Sequence, residues 1–132
     1  KHEYDEADLS AWSRTRSHLS KIARWCRSRD LPFHLVVLPA GPQIEPIGEM
    51  RRRIVMLSGE SGLIRSTRLQ DETLDWCRTE NVTGLDLLPV MRDHKARHPE
   101  EVLFYPIDQH LTPAGNRVAA EAVRDLLLAH SD

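Results

Sequence analysis

Apolar residues return at helical intervals through the first part of the chain. Between Asp5 and Arg29 there is no Gly or Pro, and Leu9, Trp12, Leu19, Ile22, Ala23 and Cys26 recur with Arg and Ser between them. This spacing predicts a long amphipathic helix. It should end at Asp30-Leu31-Pro32, because a proline disfavours helical backbone at the residue before it. Phe33-His34-Leu35-Val36-Val37-Leu38 is then mostly apolar and leads into Pro39. Continuous apolarity, rather than alternation, predicts a strand covered on both faces, as in a parallel sheet.

Residues 40–66 lose the pattern. They hold Gly41, Pro42, Pro46 and Gly48, the basic triplet Arg51-Arg52-Arg53, and Ser58-Gly59-Glu60-Ser61-Gly62. An excursion of that length within a compact domain is commonly functional or mobile. Helical spacing resumes over about Thr67 to Glu80, with Leu69, Leu74 and Trp76-Cys77. Thr83-Gly84-Leu85-Asp86-Leu87 reads as a short strand, Leu88 to Arg97 as a short helix stopped at Pro99, and Val102-Leu103-Phe104 as a third, very short extended segment. The last helix is expected to start at Thr112, a good N-cap, with Pro113 where a missing N–H costs nothing. Val118, Ala119, Ala122, Val123, Leu126 and Leu127 form its apolar stripe. The helix–strand–helix–strand–helix order predicts an α/β layered domain.

Composition narrows the function classes. A chain of 132 residues, 40% hydrophobic, fits one domain or part of a larger one. Its 18 basic and 20 acidic residues leave a net charge of −2. With no long Lys/Arg block, this argues against a phosphate-reading nucleic-acid binder. No apolar run approaches the ~18 residues that span a bilayer. There is no signal-peptide pattern, and the chain opens on Lys1 rather than Met, so the natural start is expected upstream. Cys26 and Cys77 are too few for a disulfide framework or a zinc site, which usually needs four ligands, although one disulfide stays open.

Candidate chemistry concentrates in Phe104-Tyr105-Pro106-Ile107-Asp108-Gln109-His110-Leu111-Thr112-Pro113-Ala114-Gly115. Asp108 and His110 are two apart, so on an extended segment their side chains leave the same face. A carboxylate bonded to one imidazole nitrogen fixes the tautomer, aims the other nitrogen outward and stabilises the imidazolium. Such a pair is the base half of a nucleophilic triad and lacks only a Ser or Cys. The same spacing also serves as a plain loop clamp.

Other polar residues carry less. His34 reads as a satisfied core or edge histidine. His94 and His98 lie four apart on a helix but show no third metal ligand, so a solvated face is expected and no metal residue is assigned. Arg51-Arg52-Arg53 reads as solvated surface, and Gly59-Glu60-Ser61-Gly62 as a Gly/Ser loop without the last Gly of a nucleophile elbow. Trp12, Trp25 and Trp76 are expected to pack within helices. Gln43 and Glu45 follow the first strand, where they border any cleft at its end.

The stretch Asp108-x-His110-Leu-Thr-Pro-x-Gly-Asn-Arg-x-Ala-Ala-Glu121 resembles the C-terminal catalytic block of the SGNH (GDSL-type) hydrolases. His34 to Pro39 is similar to that family's late core strand. Trp76-Cys77 through Gly84-Leu85-Asp86-Leu87-Leu88-Pro89 is similar to the helix, strand and turn before the block. The resemblance extends over most of the chain from Leu19. It implies a three-layer α/β/α sandwich with a parallel, flavodoxin-like sheet, residues 1–132 supplying the C-terminal part. The family's Gly-Asp-Ser block and its oxyanion-hole Gly and Asn blocks have no counterpart here.

The resemblance further implies ester hydrolysis or acyl transfer through an acyl-serine, with His110 as general base and Asp108 as its orienting partner. It implies no metal or organic cofactor. The serine and oxyanion-hole residues would come from a complementary N-terminal segment or chain, and the substrate would be a small-molecule or glycan ester. Relatives of this type are often exported or membrane-anchored. Strand count points the same way: two or three short parallel strands cannot cover their own edges, so further strands are expected beside Leu35–Leu38. The rival expectation is a non-catalytic binding or assembly module that keeps the half-fold without a nucleophile.

Overall fold

A computed structural model of the chain describes residues 6–45, 66–106 and 108–130. Helix α1 (Glu6–Arg27) is followed by strand β1 (His34–Val37) and a 3-10 turn at Gly41–Gln43. Next come α2 (Arg68–Glu80), β2 (Thr83–Asp86), α3 (Leu87–Arg97) and α4 (Pro113–Leu128). β1 and β2 pair as a two-stranded parallel sheet, so the chain is mixed α/β. The expected helices are present with small shifts at their ends. Most of the 40–66 excursion, including Arg51-Arg52-Arg53 and the Gly59–Gly62 loop, lies outside the described residues.

Two expectations about strands change. Val102–Phe104 does not join the sheet; within it only Phe104 forms a ladder contact, an isolated antiparallel bridge to Leu111. Side chains take over the backbone groups beside it: Leu103 N–H donates to Glu45 Oε1 at 2.7 Å, and Val102 C=O accepts from Thr112 Oγ1 at 2.5 Å. Strand β1 is also not covered throughout, since His34, Leu35 and Val37 are half-buried while Val36 and Leu38 are exposed. A two-stranded sheet offers too little neighbouring surface to bury a strand on both faces.

The chain divides into two compact units, the division falling within both strands. In the first unit (Lys1–Leu35 and Thr67–Gly84), Ala23, Trp76 and Cys77 form the core with Leu19, Phe33, Leu35 and Val82 against them. Trp76 donates from its indole N–H to Ser20 Oγ, and Ser20 donates to Glu80 Oε1 at 3.0 Å. Helix α2 closes on Asn81, whose left-handed φ of 55° suits the short polar residue found at such caps. Burial pushes the Cys77 thiol pKa up, and both cysteines are free thiols. Trp25 departs from the packing expected of it: it is 53% exposed, with the Arg29 guanidinium stacked 4.3 Å over its ring. A cation over an aromatic face needs no burial.

In the second unit (Val36–Ser66 and Leu85–Asp132), Leu87, Met91, Leu103, Phe104 and Val118 form the core. Asp86 caps α3 by accepting the Leu88 N–H at 2.9 Å. Thr112 caps α4 by accepting the Gly115 N–H at 3.1 Å, and Pro113 takes the first helical position. Thr112 N–H also donates to Leu103 O at 3.0 Å. Gly115 is required by contact: a β-carbon there would run into the Leu103 carbonyl and come 2.9 Å from Leu111 Cδ2.

Gly115→Ala should therefore lower stability by about 1–3 kcal/mol through overpacking against backbone. Thr112→Val should cost about 1–2 kcal/mol through the lost cap and the orphaned Val102 carbonyl, while Thr112→Ser stays near wild type. Urea midpoints of the 132-residue chain check all three.

Candidate functional site

The site is the connection between the Leu103–Phe104 core segment and α4. Phe104 is buried and bridges Leu111, which closes a loop over 105–110. Tyr105 N–H donates to His110 O at 2.9 Å, and Gln109 N–H donates back to Tyr105 O at 3.1 Å. Gln109 takes φ 63°, the left-handed conformation that lets the chain reverse here. The loop rests on the 3-10 turn after β1. A β-carbon at Gly41 would come 3.1 Å from Gln109 Nε2 and 3.2 Å from Phe104 Cβ, so a glycine permits the approach.

Within this loop Asp108 and His110 come together. Asp108 Oδ1 accepts the backbone N–H of His110 at 3.0 Å, an Asx turn. Asp108 Oδ2 lies 3.5 Å from His110 Nδ1. That is ion-pair range and too long for a good hydrogen bond. The side chains are 59% and 83% exposed respectively. His110 Nε2 makes no polar contact among the described residues. The hydrogen bond from the His110 backbone N–H, aided by the imidazole, holds the Asp108 carboxyl below its ordinary pKa.

The residues beside Pro39 prove to be clamps. Gln43 Oε1 accepts the Ala40 N–H at 2.8 Å and its Nε2 donates to Ser66 O at 3.0 Å. Glu45, besides taking the Leu103 N–H, pairs with Lys95 at 3.1 Å, both side chains being largely buried. Sequence reasoning gave neither Gly41 nor Glu45 a role in seating the loop. The only local signal was their position just after a strand. An open groove of about 510 Å³ between α1 and α2, lined in part by Trp12, Arg16 and Trp76, borders none of these residues.

His94 departs from the solvated face expected of it. Its side chain is 16% exposed, and Nε2 lies 3.1 Å from Glu101 Oε2. Arg117 Nη2 donates to the same oxygen at 2.7 Å. The hydrogen bond from His94, with Arg117 beside it, holds the Glu101 carboxyl below its ordinary pKa. Glu101 is absent from any helical repeat, so its return onto α3 was not legible from periodicity.

No protein-family model, characterised protein or solved structure matches the chain.

The Asp108 geometry has a pH consequence. A carboxylate whose folded pKa is depressed contributes to the folded loop above its unfolded pKa and loses that contribution as pH falls through the folded value. A carbon-detected NMR titration should give Asp108 a midpoint below the usual aspartate range. The His110 amide proton should shift with the same midpoint.

Proposed function

We propose that this chain is the C-terminal part of an SGNH-type serine hydrolase, a three-layer α/β/α sandwich when complete, and that it supplies the Asp–His half of the triad. The observation that carries the reading is the loop itself. An aspartate and a histidine two residues apart meet at ion-pair distance, on one side of a turn fixed between a buried core segment and a capped helix. The exposed apolar Val36 of β1 and Leu38 just after it support a further layer packed on that face, and a two-stranded sheet has outer edges open to further strands. The Thr112-Pro113-x-Gly115 portion of the family-like block also has a physical reason, as cap, first helical residue and close-approach glycine.

The chemistry follows from the two side chains. Asp108 faces Nδ1 of His110, so the tautomer carrying the proton on Nδ1 leaves Nε2 as the base. Nε2 removes the proton of a serine hydroxyl as the oxygen attacks an ester carbonyl. It then gives that proton to the leaving alcohol. Asp108 stabilises the imidazolium between these steps without itself becoming protonated. The exposed ring leaves room for a serine-bearing segment to reach Nε2. Closing 3.5 Å to hydrogen-bond length takes a few tenths of an ångström, as catalytic contacts commonly do when the site is completed.

The test uses the 132-residue chain together with the serine-bearing segment. Turnover of an activated ester and labelling by a fluorophosphonate are measured. His110→Ala should abolish turnover with an unchanged thermal melt. Asp108→Asn should lose most of it, since the equivalent change in a chymotrypsin-type triad costs about 10⁴-fold. His94→Ala and His98→Ala should stay near wild type. Turnover that survives His110→Ala would sink the catalytic reading. An assembled protein with neither turnover nor labelling would point to the assembly module instead.

A further inference from the structure

Charge is spread unevenly along this chain, and helix α1 holds the excess of one sign. Residues 9–29 carry six basic side chains and no acidic one, while the rest of the chain carries 12 basic against 20 acidic. Two of the six serve the fold. Arg27 donates to Glu80 O at 2.6 Å, and the Arg16 guanidinium lies 5.9 Å over the Trp12 ring. Arg24 sits in the last turn, where a cation suits the helix dipole. Arg14, Lys21, Arg24 and Arg29 have no carboxylate at ion-pair distance among the described residues.

These charges share a face with apolar surface. Ser20, Ala23 and Arg27 turn toward α2, through Trp76, Glu80 and the core cluster around Ala23. The other side of the helix repeats Arg14, His18, Lys21, Trp25 and then His18, Ile22, Trp25, Arg29, two rows at i, i+4, i+7 and i+11. All six residues are exposed, Ile22 at 46% and Trp25 at 53%. Core packing therefore leaves both large apolar side chains on the outside. The Arg29 guanidinium over the Trp25 ring keeps a positive charge against the indole.

An indole and an isoleucine ringed by cations match the headgroup layer of an anionic membrane. Indole rings settle at that depth because the body is apolar and the N–H edge polar. Lys and Arg around them reach the anionic headgroups. An acidic protein segment or a nucleic-acid backbone would meet the charges but would give Ile22 no apolar layer to enter. No helix among the described residues is long and apolar enough to cross a membrane, so the contact in question is with the surface.

We propose that the outward face of α1 docks on an anionic lipid surface, with Ile22 and Trp25 entering the headgroup layer and Arg14, Lys21, Arg24 and Arg29 around them. Two shallow apolar side chains and four charges make this contact reversible and salt-sensitive. It involves neither Asp108 nor His110 and is independent of the hydrolase reading.

The test is co-sedimentation of the 132-residue chain with vesicles of phosphatidylcholine and phosphatidylserine in equal parts, against phosphatidylcholine alone. Trp25→Ala, the double variant Arg14→Gln/Lys21→Gln, and Arg124→Gln on α4 are compared. All four positions are exposed, and thermal melts verify folding. The parent chain should bind the phosphatidylserine vesicles alone, with a blue shift of tryptophan emission that Trp25→Ala removes. Affinity should fall about 5-fold for each basic side chain lost and about 10-fold in Trp25→Ala. Arg124→Gln should bind as the parent does. Absence of binding, equal binding to both vesicle types, or binding that either α1 variant leaves unchanged would overturn the proposal. Binding to DNA or polyglutamate but not to vesicles would also overturn it and assign the face to that partner.

Discussion

The close approach of the first turn of α4 to the Leu103 backbone is the constraint on which the second unit depends. Leu103 is fully buried, its carbonyl receives the Thr112 N–H, and Gly115 leaves room for that carbonyl against the helix. Thr112 adds two further bonds, to Val102 O and from Gly115 N–H, so one residue caps the helix and fixes the segment before it. The 105–110 loop has both ends tied by this junction and by the Phe104–Leu111 bridge. Asp108 and His110 can stand exposed there because the ends of the loop are not free to move.

A second set of contacts holds the Leu103 segment through its N–H. Glu45 accepts the Leu103 N–H with one oxygen and meets Lys95 with the other. A carboxylate this buried needs such partners, because taking a charge from water costs several kcal/mol unless it is paired and hydrogen-bonded. Lys95 in turn bonds the Glu101 carbonyl, and Glu101 holds His94 and Arg117. Glu45 and Thr112 thus do for Val102–Leu103 what neighbouring strands do in a sheet. This explains why an apolar segment stays extended without joining β1 and β2.

Two of the carboxyl–imidazole pairs of this unit, His94–Glu101 and His110–Asp108, differ in a way that bears on their chemistry. His94 is half enclosed and directly bonded to a carboxylate that Arg117 also holds, so its ring nitrogen is committed. His110 stands in solvent beside a carboxylate whose shorter bond goes to backbone, and its second nitrogen remains available. An available nitrogen with an anion behind the ring is the arrangement proton transfer requires. The committed one suits a structural role.

Much of this architecture was legible in the sequence. Helical spacing marked α1 and α2, and Thr112-Pro113 marked the start of α4. These are local consequences of period and cap chemistry, which the chain carries wherever it lies. Asp108 and His110 meet by a different route from the alternation of an extended segment: an Asx turn with Gln109 at φ 63° brings them together. Whether Val102–Phe104 would pair with a sheet, whether Trp25 would be buried, and what Glu45 and Glu101 would hold were not local questions. Each depended on which backbone groups and charges residues far along the chain would bring within bonding distance. The sequence alone determined the elements and the Asp108–His110 spacing. The tertiary structure decided that Glu45, Thr112 and Gly115 converge on Leu103, because a buried backbone must find its partners wherever folding supplies them.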